Sequence, residues 1–457
     1  MASTYLTGPY APVHDELTVD DLPVRGTLPD GLDGSYLRNG PNPQFAPLGR
    51  YHPFDGDGMI HAVDLRDGRA RYRNRYIASK GLLAERRAGR ALYGGLSEFQ
   101  LPSPELTAEA GMLKNTANTN VVRHAGRVLG LMEACPPTEL SAGLDTLGEL
   151  DFGGALAGPM TAHPKTDPVT GELLFFGYGP FPPYLRYHVA DRSGALVTSV
   201  EVDLPGPVMM HDFAVSARRV AFFDLPAVFD VEAMMRGEAG IRWSPEHGAR
   251  IGVLDRAAPE AGVRWIEVEP FFVFHFLNAY DDGDTLVVDG CRSSRMTVAF
   301  GHEAVPEGVL PALHRWRIDL ATGRIDDRPL DDRAADFPRV NDAYAGLPAR
   351  FGYVGHTRPG EGEVLFEFDG VTKHDLVTGT DATHHYGPAS FAGEATFAPD
   401  PARDGEDGGW LLNIVHDRAT DESSLVVVDA EGLDEVARVV LPRRVPFGFH
   451  GNWMPQP

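Results

Sequence analysis

The pattern that decides the fold class is clearest in residues 313–324, where the sequence is LHRWRIDLATGR. Residues 313–320 mix apolar and polar side chains over the length of one strand, and residues 320–324 add a glycine-containing turn. Related turn sequences occur at residues 167–171 and 376–379, again between strand-like runs. The recurrence of strand, turn and strand indicates four-stranded blades arranged radially.

Glycine and proline residues separate short strand-like runs along all 457 residues, which contain 51 glycines and 37 prolines. Helical patterns are sparse, the best candidates being residues 104–112 and 229–236. No linker or charge block divides the chain, so we expect a single all-β domain over residues 1–457, although no clean repeat period can be counted. Further strands are predicted at residues 127–132, 173–178, 220–223, 285–289, 363–368, 410–416 and 424–429.

Charge and composition limit the ligands and the cellular compartment that we expect for this protein. The formal net charge of −24 argues against nucleic acid and anionic lipid as partners and favours a small neutral or apolar ligand. With only Cys135 and Cys291, no signal-peptide pattern and no apolar stretch long enough for a bilayer, we expect a cytoplasmic protein with no obligate protein partner. Residues 225–229 with Met234 and Met235 are a candidate patch for peripheral membrane contact, although charged neighbours interrupt it.

Four histidines stand in apolar or aromatic contexts. These are His163 in MTAHP, His211 in MMHDF, His275 in FVFHF and His450 in FGFHGNW. One such histidine is more often a hydrogen-bonded core residue, but four together indicate a metal site. Their spacing is too wide for a zinc finger, whereas a radial fold can point all four at one axis. A closed tetrahedral zinc site and an octahedral site with two open positions both remain possible.

Histidines that bind metal usually donate their second ring N–H to a carboxylate or carbonyl group. Three acidic residues in apolar or turn contexts are candidates for this role: Glu133, Asp336 and Glu394. We therefore expect buried carboxylates beside the four imidazoles.

Seven motifs in this order resemble the carotenoid cleavage oxygenase family from end to end. They are YLRNGPNP (36–43), FDGDGMIH (54–61), NTANTN (115–120), TAHPK (161–165), MHDF (210–213), HFLNAY (275–280) and FHG (449–451). The resemblance implies a seven-bladed β-propeller with a loop-and-helix dome over an axial metal site. It also implies an Fe²⁺ ion held by His163, His211, His275 and His450.

The resemblance extends to residues around the ion. It matches Glu133, Asp336 and Glu394 to the carboxylates that hold the histidines, and Thr119 to a threonine beside the open coordination site. Asp336 replaces the family's usual glutamate. Because aspartate is one methylene shorter, its bond to a histidine, expected to be His275, can be lost or bridged by water.

The reaction that the resemblance implies is cleavage of a carbon–carbon double bond by dioxygen, giving two carbonyl products. Phe54 and Phe276 are candidate walls for a lipophilic alkene. Stilbene-cleaving members recognise a phenol with a lysine and a tyrosine, and Met132 and Leu96 stand at those places here. We therefore expect an apolar carotenoid or apocarotenoid, with Tyr93 or Lys114 as different polar anchors.

Three alternatives remain open. One is a stilbene- or phenylpropene-cleaving dioxygenase of the same family, and another is isomerohydrolase chemistry on a retinoid-like ester. The third is a propeller that binds a ligand without catalysis, which the four-histidine set opposes.

Overall fold

The computed structural model describes residues 3–300, 309–358 and 367–456. Its strands are β1 (Thr18–Val19), β2 (Val24–Gly26), β3 (Gly34–Pro41), β4 (Gly58–Arg66), β5 (Arg69–Tyr76), β6 (Asn120–His124), β7 (Arg127–Leu131), β8 (Thr138–Leu140), β9 (Thr146–Glu149), β10 (Lys165–Thr166), β11 (Leu173–Tyr178), β12 (Leu185–Ala190), β13 (Leu196–Val202), β14 (Ala214–Val215), β15 (Arg219–Asp224), β16 (Ala227–Phe229), β17 (Ile241–Trp243), β18 (Ala249–Asp255), β19 (Arg264–Val268), β20 (Phe272–Asp282), β21 (Thr285–Ser293), β22 (Ala312–Asp319), β23 (Ile325–Arg339), β24 (Phe351–Arg358), β25 (Glu367–Asp375), β26 (Thr380–His385), β27 (Ser390–Ala392), β28 (Thr396–Pro399), β29 (Gly409–Asp417), β30 (Glu422–Asp429), β31 (Glu435–Val440) and β32 (Gly451–Pro455). The helices are α1 (Lys80–Ala88), α2 (Pro104–Ala110) and α3 (Val231–Met235), with short 3-10 turns at Thr4–Leu6, Gly8–Tyr10, Pro53–Asp55, Pro245–His247, Pro259–Ala261 and Asp342–Tyr344.

The strands pair antiparallel in several sheets. Three four-stranded sheets follow each other along the chain, in the orders β6-β7-β8-β9, β10-β11-β12-β13 and β14-β15-β18-β19. Strands β16 and β17 form a two-stranded ribbon, and β1-β5-β4-β3-β32 form a five-stranded sheet. The remaining strands form one sheet whose continuous path runs from β20 to β31 and β2, while β26 and β28 pair beside this path with β25 and β29.

Strands from opposite ends of the sequence pair at two places. The early strand β3 pairs with β32, with Gly34 opposite Pro455, and β2 pairs with β31, with Val24 opposite Val439. Both pairings join the beginning of the described chain to its end.

The prediction of an all-β fold is confirmed. Each predicted strand that falls in the described residues coincides with an observed strand within a few residues, whereas residues 363–366 lie outside them. The helix expected at residues 104–112 is α2, and the one expected at residues 229–236 is shortened to α3. It is shorter because Phe229 still belongs to β16 and Asp230 caps the helix by accepting a hydrogen bond from the Ala233 N–H.

The expected turns between strands form around an aspartate and a glycine. Asp319 Oδ1 accepts hydrogen bonds from the N–H groups of Ala321 and Thr322, and Gly323 follows with a φ of +77°. That left-handed conformation favours glycine, so the two residue types fix the turn together.

The interior is apolar and rich in aromatic side chains. The largest cluster of buried residues runs from Leu174 on β11 to Ile318 on β22, and it includes the fully buried Trp316. None of the described helices is long and apolar enough to cross a bilayer.

Candidate metal centre

The four predicted histidines converge in the interior. His163, His211, His275 and His450 are all buried, and each offers a ring nitrogen within 4.8 Å of those of the others. The Nε2 atoms of His163 and His211 are 2.9 Å apart, and those of His211 and His275 are 3.3 Å apart.

Each histidine stands at or near the start of a strand. His163, His211 and His450 lie in loops one to three residues before β10, β14 and β32. His275 lies within β20, where the pairing with β21 is irregular between Val273 and Phe276. Separate sheets therefore each contribute one imidazole to a common point.

Carboxylates hold three of the rings by their outer nitrogen. The Nδ1 atom of His211 lies 2.8 Å from Glu133 Oε2, and that of His450 lies 3.0 Å from Glu394 Oε1. The Nδ1 atom of His275 lies 2.8 Å from Asp336 Oδ1. An ionised carboxylate only accepts hydrogen bonds, so each neutral ring carries its proton on Nδ1 and keeps an Nε2 lone pair for the centre.

This donor set fits a metal ion. Two lone pairs 3.3 Å apart, on His211 and His275, repel each other unless a cation lies between them. Adjacent ligands of an octahedral ion with bonds of about 2.1 Å lie about 3 Å apart, close to the observed Nε2 separations. Four neutral imidazoles suit iron, copper, nickel and zinc alike, so the geometry indicates a transition-metal ion without identifying it.

Asp336 makes its bond to His275 directly. The bond expected to be lost or bridged by water is therefore present despite the shorter side chain. The backbone explains this, because the pairing of β23 with β24 is irregular between Asp336 and Arg339, and Phe337 has a φ of +51°. The irregularity redirects the aspartate toward the ring.

The electrostatic surroundings differ among the histidines. Burial and the three neighbouring imidazoles lower the pKa of His163, so this ring is neutral and able to bind a metal. Burial also lowers the pKa of His211, but the carboxylates of Glu133, Asp212 and Asp336 together outweigh it and the net pKa is raised. Burial would raise the pKa of Glu394, yet Arg339 and His450 bring it down to about 2, so this carboxylate is ionised.

A cavity of about 640 Å³ opens beside the imidazoles of His211, His275 and His450. Thr119, Phe54, Met132 and Leu96 all line it, together with Glu133. Many of its walls are apolar, among them Phe99, Phe229, Phe274, Phe300, Phe447 and Phe449. His211, His275 and His450 therefore face a largely apolar chamber.

Phe276 does not line this chamber. Its ring packs 4.5 Å from that of Phe223, and the residue borders a second cavity of about 490 Å³, which also contacts His163. Phe274 and Phe276 are two residues apart and would share a face in a regular strand, but the pairing of β20 with β21 is irregular between Val273 and Phe276, so Phe274 borders the chamber and Phe276 does not. The structure thus places the expected wall residue Phe276 elsewhere.

Polar groups in the chamber also differ from expectation. Lys114 is buried between Asp57 and Glu85, with both N–O distances at 2.5 Å, so its charge is already paired. Tyr93 donates a hydrogen bond to the Gly111 carbonyl at 3.2 Å.

Tyr178 is a chamber residue that was not predicted from the sequence. It lines the chamber beside Glu133, and burial together with that carboxylate raises its pKa well above the usual value.

Asp212 is a second residue that the sequence analysis missed. Its Oδ2 accepts a hydrogen bond from the Phe276 N–H at 2.9 Å, and its Oδ1 lies 2.8 Å from Lys165 Nζ. One carboxylate thus ties the segment of His211 to the segments of His275 and His163. A charged residue directly after His211, in the otherwise apolar stretch MMHDF, was the available signal.

Comparisons with known proteins agree with this geometry. Residues 10–455 match the family model described as "Retinal pigment epithelial membrane protein". The chain is 38% identical to a carotenoid cleavage oxygenase of Mycobacterium tuberculosis, over 99% of this chain and 97% of the relative.

Two solved structures are similar over nearly the whole chain. The lignostilbene dioxygenase of Pseudomonas brassicacearum has a TM-score of 0.93 and 32% identity, covering 99% of both chains. The cobalt-substituted apocarotenoid oxygenase of Synechocystis has a TM-score of 0.86 and 28% identity, covering 97% of both chains.

Proposed function

Because this chain belongs to the carotenoid cleavage oxygenase family and is a dioxygenase, we propose that it uses iron(II) to cleave a carbon–carbon double bond of an apolar conjugated substrate. A carotenoid or apocarotenoid is the proposed substrate, and two carbonyl compounds are the products. The observation that carries the proposal is the chamber itself, in which three of the four imidazoles border a largely apolar space of about 640 Å³.

Four histidines hold the proposed iron: His163, His211, His275 and His450. When bound, iron(II) supplies the one-electron partner that dioxygen needs. Glu133, Asp336 and Glu394 keep three of the rings in the tautomer that leaves Nε2 free. Because these residues supply only four ligand atoms, a bound iron(II) would be able to accept dioxygen or substrate as a further ligand.

The chain's further task is to hold an alkene beside the centre and to keep water away. Phe54 and Met132 supply apolar surface on the chamber wall, and the flexible thioether can adapt to a conjugated chain. Thr119 lines the chamber, donates its hydroxyl to Asn118 at 3.0 Å, and accepts the His450 N–H on its carbonyl. We place this threonine beside an open coordination position.

The proposal includes a seven-bladed propeller formed by one domain over residues 1–457. The four smaller sheets of four or five strands account for four blades. The continuous path divides into three more if the 15-residue strand β23 serves two neighbouring blades. Pairing of β3 with β32 then closes the ring, and α1 and α2 belong to the dome.

Access to the chamber is proposed to run past α3. Phe229 and Met234 line the chamber, and Phe181 lines it while being 57% exposed. Met235 is 59% exposed on the same helix as Met234. Leu225 and Ala227, which belong to the stretch at residues 225–229 predicted as part of a membrane-contact patch, are buried. A small apolar rim at this opening suits uptake of a lipophilic substrate by a cytoplasmic enzyme that touches membranes only peripherally.

Cleavage of a stilbene or phenylpropene is a second candidate. The TM-score of 0.93 with a lignostilbene dioxygenase favours it, as does the presence of Tyr178, a phenol side chain, among the residues that line the chamber. Against it, Leu96 and Met132 line the chamber with apolar groups where the family's phenol-binding residues are expected, and Lys114 is paired with two carboxylates.

The test is product analysis by mass spectrometry. Iron-loaded protein is incubated with carotenoids, apocarotenals, stilbenes and phenylpropenes under ¹⁸O₂, and early products are analysed. We expect an apolar polyene to yield two carbonyl fragments that each gain one labelled oxygen. Turnover of a retinoid ester without oxygen consumption would indicate isomerohydrolase chemistry. Tight iron binding without turnover of any substrate would favour a binding module.

A further inference from the structure

A second group of side chains of the types that can bind a metal lies on β24, β25 and β26, separate from the four histidines. His356, Asp369 and His385 each offer a ligand atom within 4.8 Å of the others. His356 Nδ1 is 2.7 Å from Asp369 Oδ1, and His385 Nδ1 is 4.0 Å from Asp369 Oδ2. The two imidazole centroids are 5.3 Å apart.

The strand register places the two histidines on either side of one glycine. His356 on β24 is opposite Gly370 on β25, and Gly370 is in turn opposite His385 on β26. Side chains of directly opposed residues share a face of the sheet. A Cβ atom on Gly370 would lie 3.2 Å from His385 Nδ1 and 2.5 Å from the His384 carbonyl oxygen. The glycine therefore leaves the space between the two imidazoles free.

A β-bulge brings the carboxylate to the same group. The pairing of β24 with β25 passes from His356 opposite Gly370 to Thr357 opposite Phe368, so Asp369 is the extra residue of the bulge on β25. In a regular strand Asp369 would face away from the side that Gly370 faces, whereas a bulge redirects the side chain. Bulges are frequent beside functional sites, and this one delivers the only acidic group of the set.

We propose that His356, Asp369 and His385 bind one divalent transition-metal ion, with Zn²⁺ as the best match. Two imidazoles, one carboxylate and a water molecule form a familiar four-coordinate zinc environment. His385 is 57% exposed and His356 is 26% exposed, so an ion can arrive from solvent, and the chain's charge of −24 favours a cation. To bind, the ion must displace the proton shared by His356 and Asp369. Once bound, it links the three strands β24, β25 and β26.

Zinc titration of the full-length protein tests the site, with a chromophoric chelator as competitor. His385→Gln removes one proposed ligand at an exposed position. His384→Gln is the matched control, because its ring lies one residue earlier on β26 and hydrogen-bonds the Leu433 carbonyl at 3.0 Å. We expect the wild type and the control to bind one more equivalent of Zn²⁺ than His385→Gln. Equal zinc stoichiometry in all three proteins would overturn the proposal.

Two further measurements make the result specific. Without metal, wild type and His385→Gln should have the same midpoint of thermal unfolding. Added Zn²⁺ should raise the midpoint of the wild type more than that of His385→Gln. Anomalous scattering at the zinc edge should place an ion among the three side chains, and a zinc ion found only elsewhere would contradict the assignment. All three proteins retain the four-histidine centre, so failure of this site is distinguishable from failure of the proposed oxygenase function.

Discussion

Asp336 Oδ1 lies 2.8 Å from His275 Nδ1, so this aspartate reaches the ring directly although its side chain is one methylene shorter than that of a glutamate. The same oxygen also accepts the Phe337 N–H at 2.8 Å, and the side chain is fully buried. Backbone irregularity in β23 thus compensates for the missing methylene. The consequence is that His275 keeps the same kind of carboxylate support as His211 and His450.

Replacing Asp336 with asparagine should weaken metal retention by roughly ten- to a hundredfold, the usual cost of losing such a partner. The amide preserves shape but removes the charge that supports the imidazole. Rates of Co²⁺ or Fe²⁺ loss to a chelator measure this effect. Asp336→Glu, which keeps the charge, should lose metal more slowly than Asp336→Asn, and equal rates for the two variants would count against the charge argument.

Glu133→Gln should lower activity by roughly ten- to a hundredfold for the same reason. Glu139→Gln is the matched control, since Glu139 lies on β8 and pairs at the surface with Arg127. Steady-state kinetics and iron content of both variants give the comparison. If Glu133→Gln retains wild-type kinetics and iron content, the 2.8 Å contact with His211 contributes neither to activity nor to iron binding.

Asp212→Ala should reduce both stability and metal retention. The change leaves the Phe276 N–H buried without its acceptor, which costs about 1–3 kcal/mol. Lys165→Met is the control, because it removes the ion pair at Asp212 but keeps the bond to Phe276. The Co²⁺ ligand-field spectrum should change in Asp212→Ala and stay close to wild type in Lys165→Met. An unchanged spectrum in Asp212→Ala would mean that Asp212 supports the fold without positioning the histidines.

Much of the fold was predictable because strands and turns are set by local sequence. The turn at Asp319 and Gly323 illustrates this, since both residues act within a few positions of each other. The four histidines were also recognisable, because an imidazole among apolar neighbours must find a partner. Their roles as iron ligands remain part of the proposal.

Features that depend on two strands were not predictable. The irregular pairings at His275 and Asp336 exist only in relation to β21 and β24, so a single sequence carries no sign of them. Phe276 was predicted to line the substrate site because it is an aromatic neighbour of His275, as Phe274 is. In the structure, Phe274 lines the chamber and Phe276 borders the second cavity. Asp212 acts through the backbone N–H of Phe276, which is 64 residues distant in sequence.

Substrate choice should follow the apolar wall. A para-hydroxyl near the scissile bond that finds no partner beside Met132 costs about 1–3 kcal/mol, which corresponds to roughly five- to a hundredfold in selectivity. The wild type should therefore prefer an apocarotenal to a hydroxystilbene in kcat/KM.

The double variant Met132→Lys with Leu96→Tyr should shift that preference toward the hydroxystilbene. The lysine offers a charge able to hydrogen-bond the phenol, and both positions line the chamber. A wild type that already cleaves the hydroxystilbene far better would locate the phenol anchor elsewhere, with Tyr178 as the first residue to replace by phenylalanine.

Iron content of the purified protein tests the central claim most directly. Metal analysis by mass spectrometry should find about one iron per chain in the wild type, as expected for one shared set of four imidazoles. His211→Ala and His275→Ala should lose both iron and turnover, whereas His416→Gln, a buried imidazole on β29, should keep both. Wild-type levels of tightly held iron in His211→Ala or His275→Ala would contradict the four-histidine centre.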